Sequence, residues 1–132
     1  MLPAALIVED DPNTRELMRK LVEGEGVIVD TAADGAGAID LLQRRDYKVI
    51  VLDIVLPKVS GTGVMDHLRQ TNPALLEKII VVTGVDVKDI QRLYPVCHAI
   101  GKPVMPSRLR FWVRKCLDAE PAERDVTSEV RL

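Results

Sequence analysis

Four stretches of this sequence place chemistry-bearing side chains directly after apolar runs. Leu6-Ile7-Val8 leads into Glu9-Asp10-Asp11, and Ile50-Val51-Leu52 leads into Asp53, with Pro57 and Gly61 close behind. Val81-Val82 leads into Thr83-Gly84, and Ala99-Ile100 into Gly101-Lys102-Pro103. Grouped carboxylates supply the hard oxygen donors that Mg²⁺ takes, an ion that wants an octahedron of oxygens and keeps some waters. A carboxylate beside such an ion can act as a nucleophile. An ammonium can offset charge on a transferring phosphoryl group, and a hydroxyl can donate to one of its oxygens. Taken singly, each feature has a plainer meaning. Paired acids make a solvated loop, a lone Asp caps a helix, Thr83 is a β-branched strand residue, and Lys102 is a surface charge. Their occurrence together, each at the end of an apolar run, is what points to phosphoryl chemistry.

The elements that must position these groups follow from the pattern around them. Five apolar runs, at 4–9, 27–32, 48–53, 78–83 and 97–100, alternate with five helix-like stretches. Unbroken Val/Ile/Leu runs are what strands buried on both faces of a parallel sheet require. Asp11-Pro12 reads as an N-cap followed by Pro in the first turn, with Leu17, Met18, Leu21 and Val22 as the apolar stripe and Gly24 and Gly26 as the stop. The second helix is expected at about 36–45, burying Ala38, Ile39, Leu41 and Leu42. The third, about 63–70, carries Val64, Met65 and Leu68 and ends before Asn72-Pro73. A short fourth near 87–93 is blocked by Pro95, and a fifth from Pro106 to about 117 buries Leu109, Val113 and Cys116 or Leu117. Such alternation predicts an α/β fold with helices on both faces of a parallel sheet, whose ligands bind at the carboxyl ends of the strands.

Composition bounds the rest. A chain of 132 residues fits one domain with a real core. Its net charge of −2 carries no basic excess, so direct nucleic-acid binding is not expected. No apolar run approaches the roughly 20 residues a bilayer needs, so no membrane partner is expected. The N-terminus reads straight into a strand without a leader, and a cytoplasmic location is expected. Cys97 and Cys116 stand in separate apolar stretches and read as buried free thiols, with a disulfide or metal pair as the alternative. The folded domain is placed at residues 1–118, with 119–132 as a frayed tail.

The runs Leu6–Pro12, Leu52–Gly61, Val82–Gly84 and Gly101–Pro103, in this order and spacing, closely resemble receiver domains of bacterial two-component response regulators. The resemblance covers about residues 4–118. It implies a flavodoxin-like doubly wound sheet of five parallel strands, order 2-1-3-4-5, with five helices; that order comes with the resemblance and is not read from the residues. It further implies a signalling switch that accepts a phosphoryl group on Asp53 from a histidine kinase or a histidine phosphotransfer protein. Such a switch is not an enzyme on other substrates and catalyses only its own phosphotransfer and dephosphorylation. Mg²⁺ would be held by Asp10, by Glu9 directly or through water, by Asp53, and by the backbone carbonyl of Val55. Thr83 would move to the phosphoryl oxygen, and Lys102 would pair with it, before a cis peptide bond to Pro103. Asp11 remains a helix cap, and Gly61 meets a backbone demand.

Departures from the family pattern qualify the output. Ala99 stands where the family usually carries an aromatic residue or His that swings inward, His98 precedes it, and no nearby Phe or Tyr is expected to substitute. The gap between Thr83 and Lys102 is short, Gly84 leaves the pocket open, and Val55 and Val85 offer no polar group to position water, which implies slow self-dephosphorylation. His67 reads as an ordinary helix residue and His98 as a strand-edge residue. Of Phe111 and Trp112, at least one should face outward, where with Ala99 it would mark a surface for a downstream target or a second copy, on the face made by the fourth helix, fifth strand and fifth helix. The other readings are a receiver-like scaffold that binds partners without phosphorylation, and a flavodoxin-like cofactor binder or small Mg²⁺-dependent phosphatase. The last lacks a Gly-rich phosphate loop.

Overall fold

A computed structural model describes residues 2–84 and 87–119. Val85 and the tail from 120 to 132 lie outside the described residues. The order of elements is β1 (Ala4–Val8), α1 (Pro12–Glu23), β2 (Ile28–Ala32), α2 (Gly35–Arg44), β3 (Val49–Asp53), α3 (Gly61–Thr71), a 3-10 turn (Pro73–Lys78), β4 (Ile79–Thr83), α4 (Val87–Leu93), β5 (His98–Gly101) and α5 (Pro106–Asp118). All strand pairs are parallel, in the order β2-β1-β3-β4-β5. The expected flavodoxin-like arrangement is the one observed.

Alternation along each strand explains why the apolar runs are unbroken. Leu6, Val8, Ile50, Leu52, Ile79, Val81 and Ala99 face one side, where Ala38 of α2, Val64, Met65 and Leu68 of α3, and Ile90 of α4 cover them. Ala5, Ile7, Val49, Val51, Ile80, Val82 and Ile100 face the other, under Met18 and Val22 of α1 and Leu109, Val113 and Cys116 of α5. The edge strand β2 departs from the expected two-sided burial: Ile28 is exposed and only Ala32 is fully buried. It has one neighbour and lies at the rim of the helix layers, so Asp30 and Thr31 are tolerated there.

Three further differences concern the helices and cysteines. Leu17, assigned to the inward stripe of α1, is 53% exposed, because the buried line runs through Met18 and Val22 and each helical residue turns about 100° from the last. Helix α3 begins two residues earlier than its apolar pattern, since Ser60 Oγ accepts from Gly63 N and caps it. The 3-10 turn after α3, which buries Leu75 and Leu76, was not anticipated. Cys97 and Cys116 are joined in a disulfide, with Cα atoms 6.5 Å apart, so the free-thiol expectation is corrected. Sequence separation concealed the pairing: α5 folds back across the sheet and returns its last turn to the start of β5.

One glycine governs how closely the fold can approach its own strand ends. Gly61 N donates to Ile54 O at 2.8 Å, and a Cβ there would overlap the carbonyl of Asp53 and Cα of Ile54. Close backbone approach, not an unusual φ, is the demand this glycine meets. A Cβ at Gly84 meets nothing within 4 Å. Gly61→Ala should therefore cost about 1–3 kcal/mol in chemical denaturation, the range for overpacking. Gly84→Ala should stay within about 0.5 kcal/mol of the parent.

Candidate functional site

The register of the sheet brings the strand exits to one edge. Val8 lies beside Leu52, so Glu9 and Asp53 follow at the same level; Asp53 lies beside Val82, and Thr83 beside Gly101. Lys102 N then donates to Thr83 O at 2.8 Å, which ties the last two exits together. Glu9, Asp53 and Thr83 are the buried polar residues among those described, each 3% exposed or less. Asp10 and Lys102 are exposed at the rim. Five of the expected site residues thus converge.

Asp53 is held on both oxygens. Lys102 Nζ reaches Oδ2 at 2.9 Å, and the backbone N–H of Val55 donates to Oδ1 at 3.3 Å. The peptide bond from Lys102 to Pro103 is cis, as expected. Asp11 lies apart from this group, accepting from Thr14 N at 2.8 Å and Thr14 Oγ1 at 2.6 Å as the cap of α1. Arg15, which sequence reasoning missed, donates from Nη1 to the carbonyls of Glu9 at 3.0 Å and Asp10 at 3.3 Å. It fixes the acidic loop through backbone carbonyls and not through the carboxylates. An isolated Arg on a helix gives no sequence signal of such a role.

Charge at the edge is unevenly shared. Burial, and then the hydrogen bond and charge of Asp53, push the Glu9 carboxyl up to about 8. Burial also acts to raise Asp53, but hydrogen bonds from Glu9 and Lys102 and the charge of the ammonium outweigh it and hold the group below the usual carboxylate range. The same pair raises Lys102 despite desolvation. The consistent picture is a protonated Glu9 beside an ionised Asp53 paired with Lys102. Oxygens of Glu9, Asp10 and Asp53 lie within 4.8 Å of one another, and the buried Oε2 of Glu9 has no hydrogen-bond partner. Such a donor set fits a hard divalent cation, and the orphaned oxygen is the atom that would gain most from one.

Val55 joins this edge through its backbone, while its side chain is 71% exposed; Ala99 is not at the edge but buried in the core facing α3 and α4. Tyr94, at the end of α4, shares that core and donates to Asp66 Oδ1 at 2.8 Å, with the Arg69 guanidinium 4.6 Å from its ring. Tyr94 is thus an aromatic member of the core cluster that also holds Ala99, tied down by α3. His98 stacks on Trp112 at 3.6 Å between centroids, and Phe111 meets Trp112 edge-on at 5.2 Å. Phe111 is 52% exposed and Trp112 half-buried, so Phe111 is the outward member of the pair. His67 is a half-buried residue of α3.

Comparison with known proteins agrees with this geometry. The family model of the response regulator receiver domain matches residues 5–113. Response regulator Rre1 of Synechocystis is 31% identical over 94% of this chain and 55% of its own length. The probable transcriptional regulatory protein TcrX of Mycobacterium tuberculosis is 37% identical over 61% of this chain and 34% of its own. The chain thus spans between about a third and about half of the length of curated relatives it matches. Among solved structures, the response regulator TrrA of Thermotoga maritima, in complex with Mg²⁺ and BeF, superposes with a TM-score of 0.75 at 28% identity, covering 88% of this chain and all of that one. A CheY-like receiver domain protein from Methanospirillum hungatei gives a TM-score of 0.77 at 26% identity, covering 89% and 95%. With the matched segment running from β1 into α5 and the acidic strand edge intact within it, the chain belongs to the response regulator receiver-domain family.

Proposed function

We propose that the chain is a phosphoryl-accepting switch in which Asp53 takes a phosphoryl group from a histidine kinase or a histidine phosphotransfer protein. The observation that carries this reading is the Asp53 carboxylate, buried yet ionised, gripped by Lys102 and the Val55 N–H beside two further carboxylates. An Asp53 oxygen attacks phosphorus, a P–O bond forms, and the P–N bond to the donor imidazole breaks, with the ring nitrogen keeping the electron pair. Lys102 leaves Asp53 for a phosphoryl oxygen, and Thr83 donates its hydroxyl to another. Glu9, Asp10, Asp53 and the Val55 carbonyl are the residues that would hold Mg²⁺, which would offset charge on the transferring group. The TrrA complex with Mg²⁺ and BeF supports this assignment by likeness. The receiver unit is taken as residues 1–118. Phe111 and Trp112, on the face of α4, β5 and α5, form the surface for a downstream protein or a second copy; Ala99, expected on that surface, is buried beneath it and takes no part. No helix of the described residues is long and apolar enough to cross a membrane, which is compatible with a cytoplasmic setting.

Incubation with acetyl phosphate and Mg²⁺ should add one phosphoryl group by intact mass. Asp53→Asn should abolish it, excess chelator should block it, and Asp10→Asn should raise the Mg²⁺ concentration required. Absence of modification in the parent chain would leave the partner-binding scaffold as the better reading.

Two further outcomes follow from the side chains at the edge. An apolar, exposed Val55 positions no water, so Val55→Asn should shorten the acyl-phosphate lifetime severalfold; an unchanged decay would remove Val55 from control of hydrolysis. Glu9 has a folded-state pKa raised above its ordinary 4.5, so its contribution to stability is complete below that value and is lost as pH rises through about 8. Metal-free chain should therefore melt several degrees lower at about pH 9 than at about pH 5, after the contributions of other groups are subtracted with Glu9→Gln. Mg²⁺ should reduce the difference, because the cation favours ionised Glu9.

A further inference from the structure

Away from the acidic edge, the described residues bring together one other pair of groups with covalent chemistry, the sulfurs of Cys97 and Cys116. The bond spans 19 residues and closes a ring that runs through β5, Lys102 and nearly all of α5. Lys102, whose ammonium holds Asp53, is a member of that ring. The ring stack of His98 on Trp112 lies one residue along the strand from Cys97 and one helical turn before Cys116. Strand and helix are thus tied twice at neighbouring points, once covalently. Cys116 is 7% exposed while Cys97 is half-buried, so an incoming thiol reaches the bond from the Cys97 side, with Cys116 as the leaving group. Leu109 and Val113 are fully buried against the sheet, which attaches α5 to it independently of the bond.

We infer that Cys97 and Cys116 form a reversible redox site at which a thiol/disulfide couple of the glutathione class sets how freely α5 moves on β5. A small-molecule thiolate attacks Cys97 Sγ, forming a mixed disulfide and expelling Cys116 as a thiolate that takes a proton. A second small thiol attacks the mixed disulfide and releases Cys97 as a thiol. The small molecule leaves as its own disulfide, so two thiols are oxidised as the protein bond is reduced by two electrons. In a reducing compartment, a disulfide of this kind is transient and reports redox state. The closed ring favours the arrangement seen here, with Lys102 on Asp53. Opening it lowers the cost of carrying Lys102 and α5 to a bound phosphoryl group. This consequence rests on the receiver reading; the redox site itself does not.

The full chain is equilibrated at graded ratios of reduced to oxidised glutathione and trapped with maleimide, and its thiols are counted by intact mass. Amide exchange in α5 is followed at both ends of the series. Both thiols should appear together while the far-UV circular dichroism stays native, and the last turns of α5 should exchange roughly tenfold faster in the dithiol form. Cys97→Ala should exchange like the dithiol form at every ratio. Thiols that never close in oxidised glutathione, a bond that opens only on unfolding, or exchange rates equal in both forms would each overturn the inference. Beryllofluoride with Mg²⁺, titrated against Trp112 emission, should bind the dithiol form about fivefold or more tightly than the disulfide form. Equal affinities would overturn the coupling to Asp53. Binding to neither form would instead overturn the receiver reading, and the exchange rates would still decide the redox site.

Discussion

Two carboxyl groups and an ammonium share the apolar end of a parallel sheet, and the rest of the structure depends on how their charges are reconciled. Unit charges about 4 Å apart interact by roughly 4 kcal/mol even at an effective dielectric of 20. Glu9 and Asp53, both almost wholly buried, cannot both stay ionised there without compensation. Lys102 supplies part of it at 2.9 Å, and a proton on Glu9 supplies the rest in the metal-free chain. A divalent cation among Glu9, Asp10 and Asp53 would do the same work without the proton. The edge is therefore a place where charge is exchanged among a proton, a metal and an ammonium, and a phosphoryl group on Asp53 would be a further participant in that exchange.

This balance requires strict register. Side chains alternate between the faces of a strand, so a slip of one residue in β3 would exchange its inward and outward sets and carry Asp53 out of line with Glu9 and Val82. Large aliphatic side chains on both faces of β1, β3 and β4 make such a slip costly, since each face fits its own helices. The helices also do more than cover the sheet. Arg15 of α1 grips the carbonyls of the acidic loop, and the start of α3 presses so close beneath Asp53 that only a glycine fits at 61. The reactive edge is built by backbone placement first and side chains second.

That ordering explains what could be read from the sequence. Glu9, Asp10, Asp53, Thr83 and Lys102 were legible because each follows an apolar run, and a parallel sheet gathers the ends of such runs. The Asp11 cap and the bounds of α4 followed from local chemistry: a carboxylate before Pro12, and Pro95 after a short polar helix. Features set by tertiary approach were not legible. The Cys97–Cys116 bond depends on how α5 returns to β5, and neither flanking sequence records it. Leu17 is apolar yet faces solvent, because the position of α1 on the sheet, and not its composition, decides which side of its stripe is covered. The ring of Tyr94 enters the core shared with Ala99 from the end of α4, so nothing in the sequence of β5 records it.

The strand β5 shows how an altered edge could be felt elsewhere in the domain. Ala99 faces α3 and α4, and Ile100 faces α1 and α5, as strand alternation requires. His98 shares the second face, where Trp112 of α5 stacks on it. A movement of Lys102 therefore meets different resistance on the two sides. Toward α4 lies the methyl group of Ala99, in a core whose tyrosine at the end of α4 has its hydroxyl and ring already engaged by Asp66 and Arg69. Toward α5 it meets a continuous line of contact, from the turn after Lys102 through Leu109 and Trp112 to Cys116. Packed interiors shift between discrete arrangements more readily than they deform smoothly, so under the proposed switch the side with the longer rigid connection would transmit the displacement. In this chain that side is α5, whose outward edge carries Phe111.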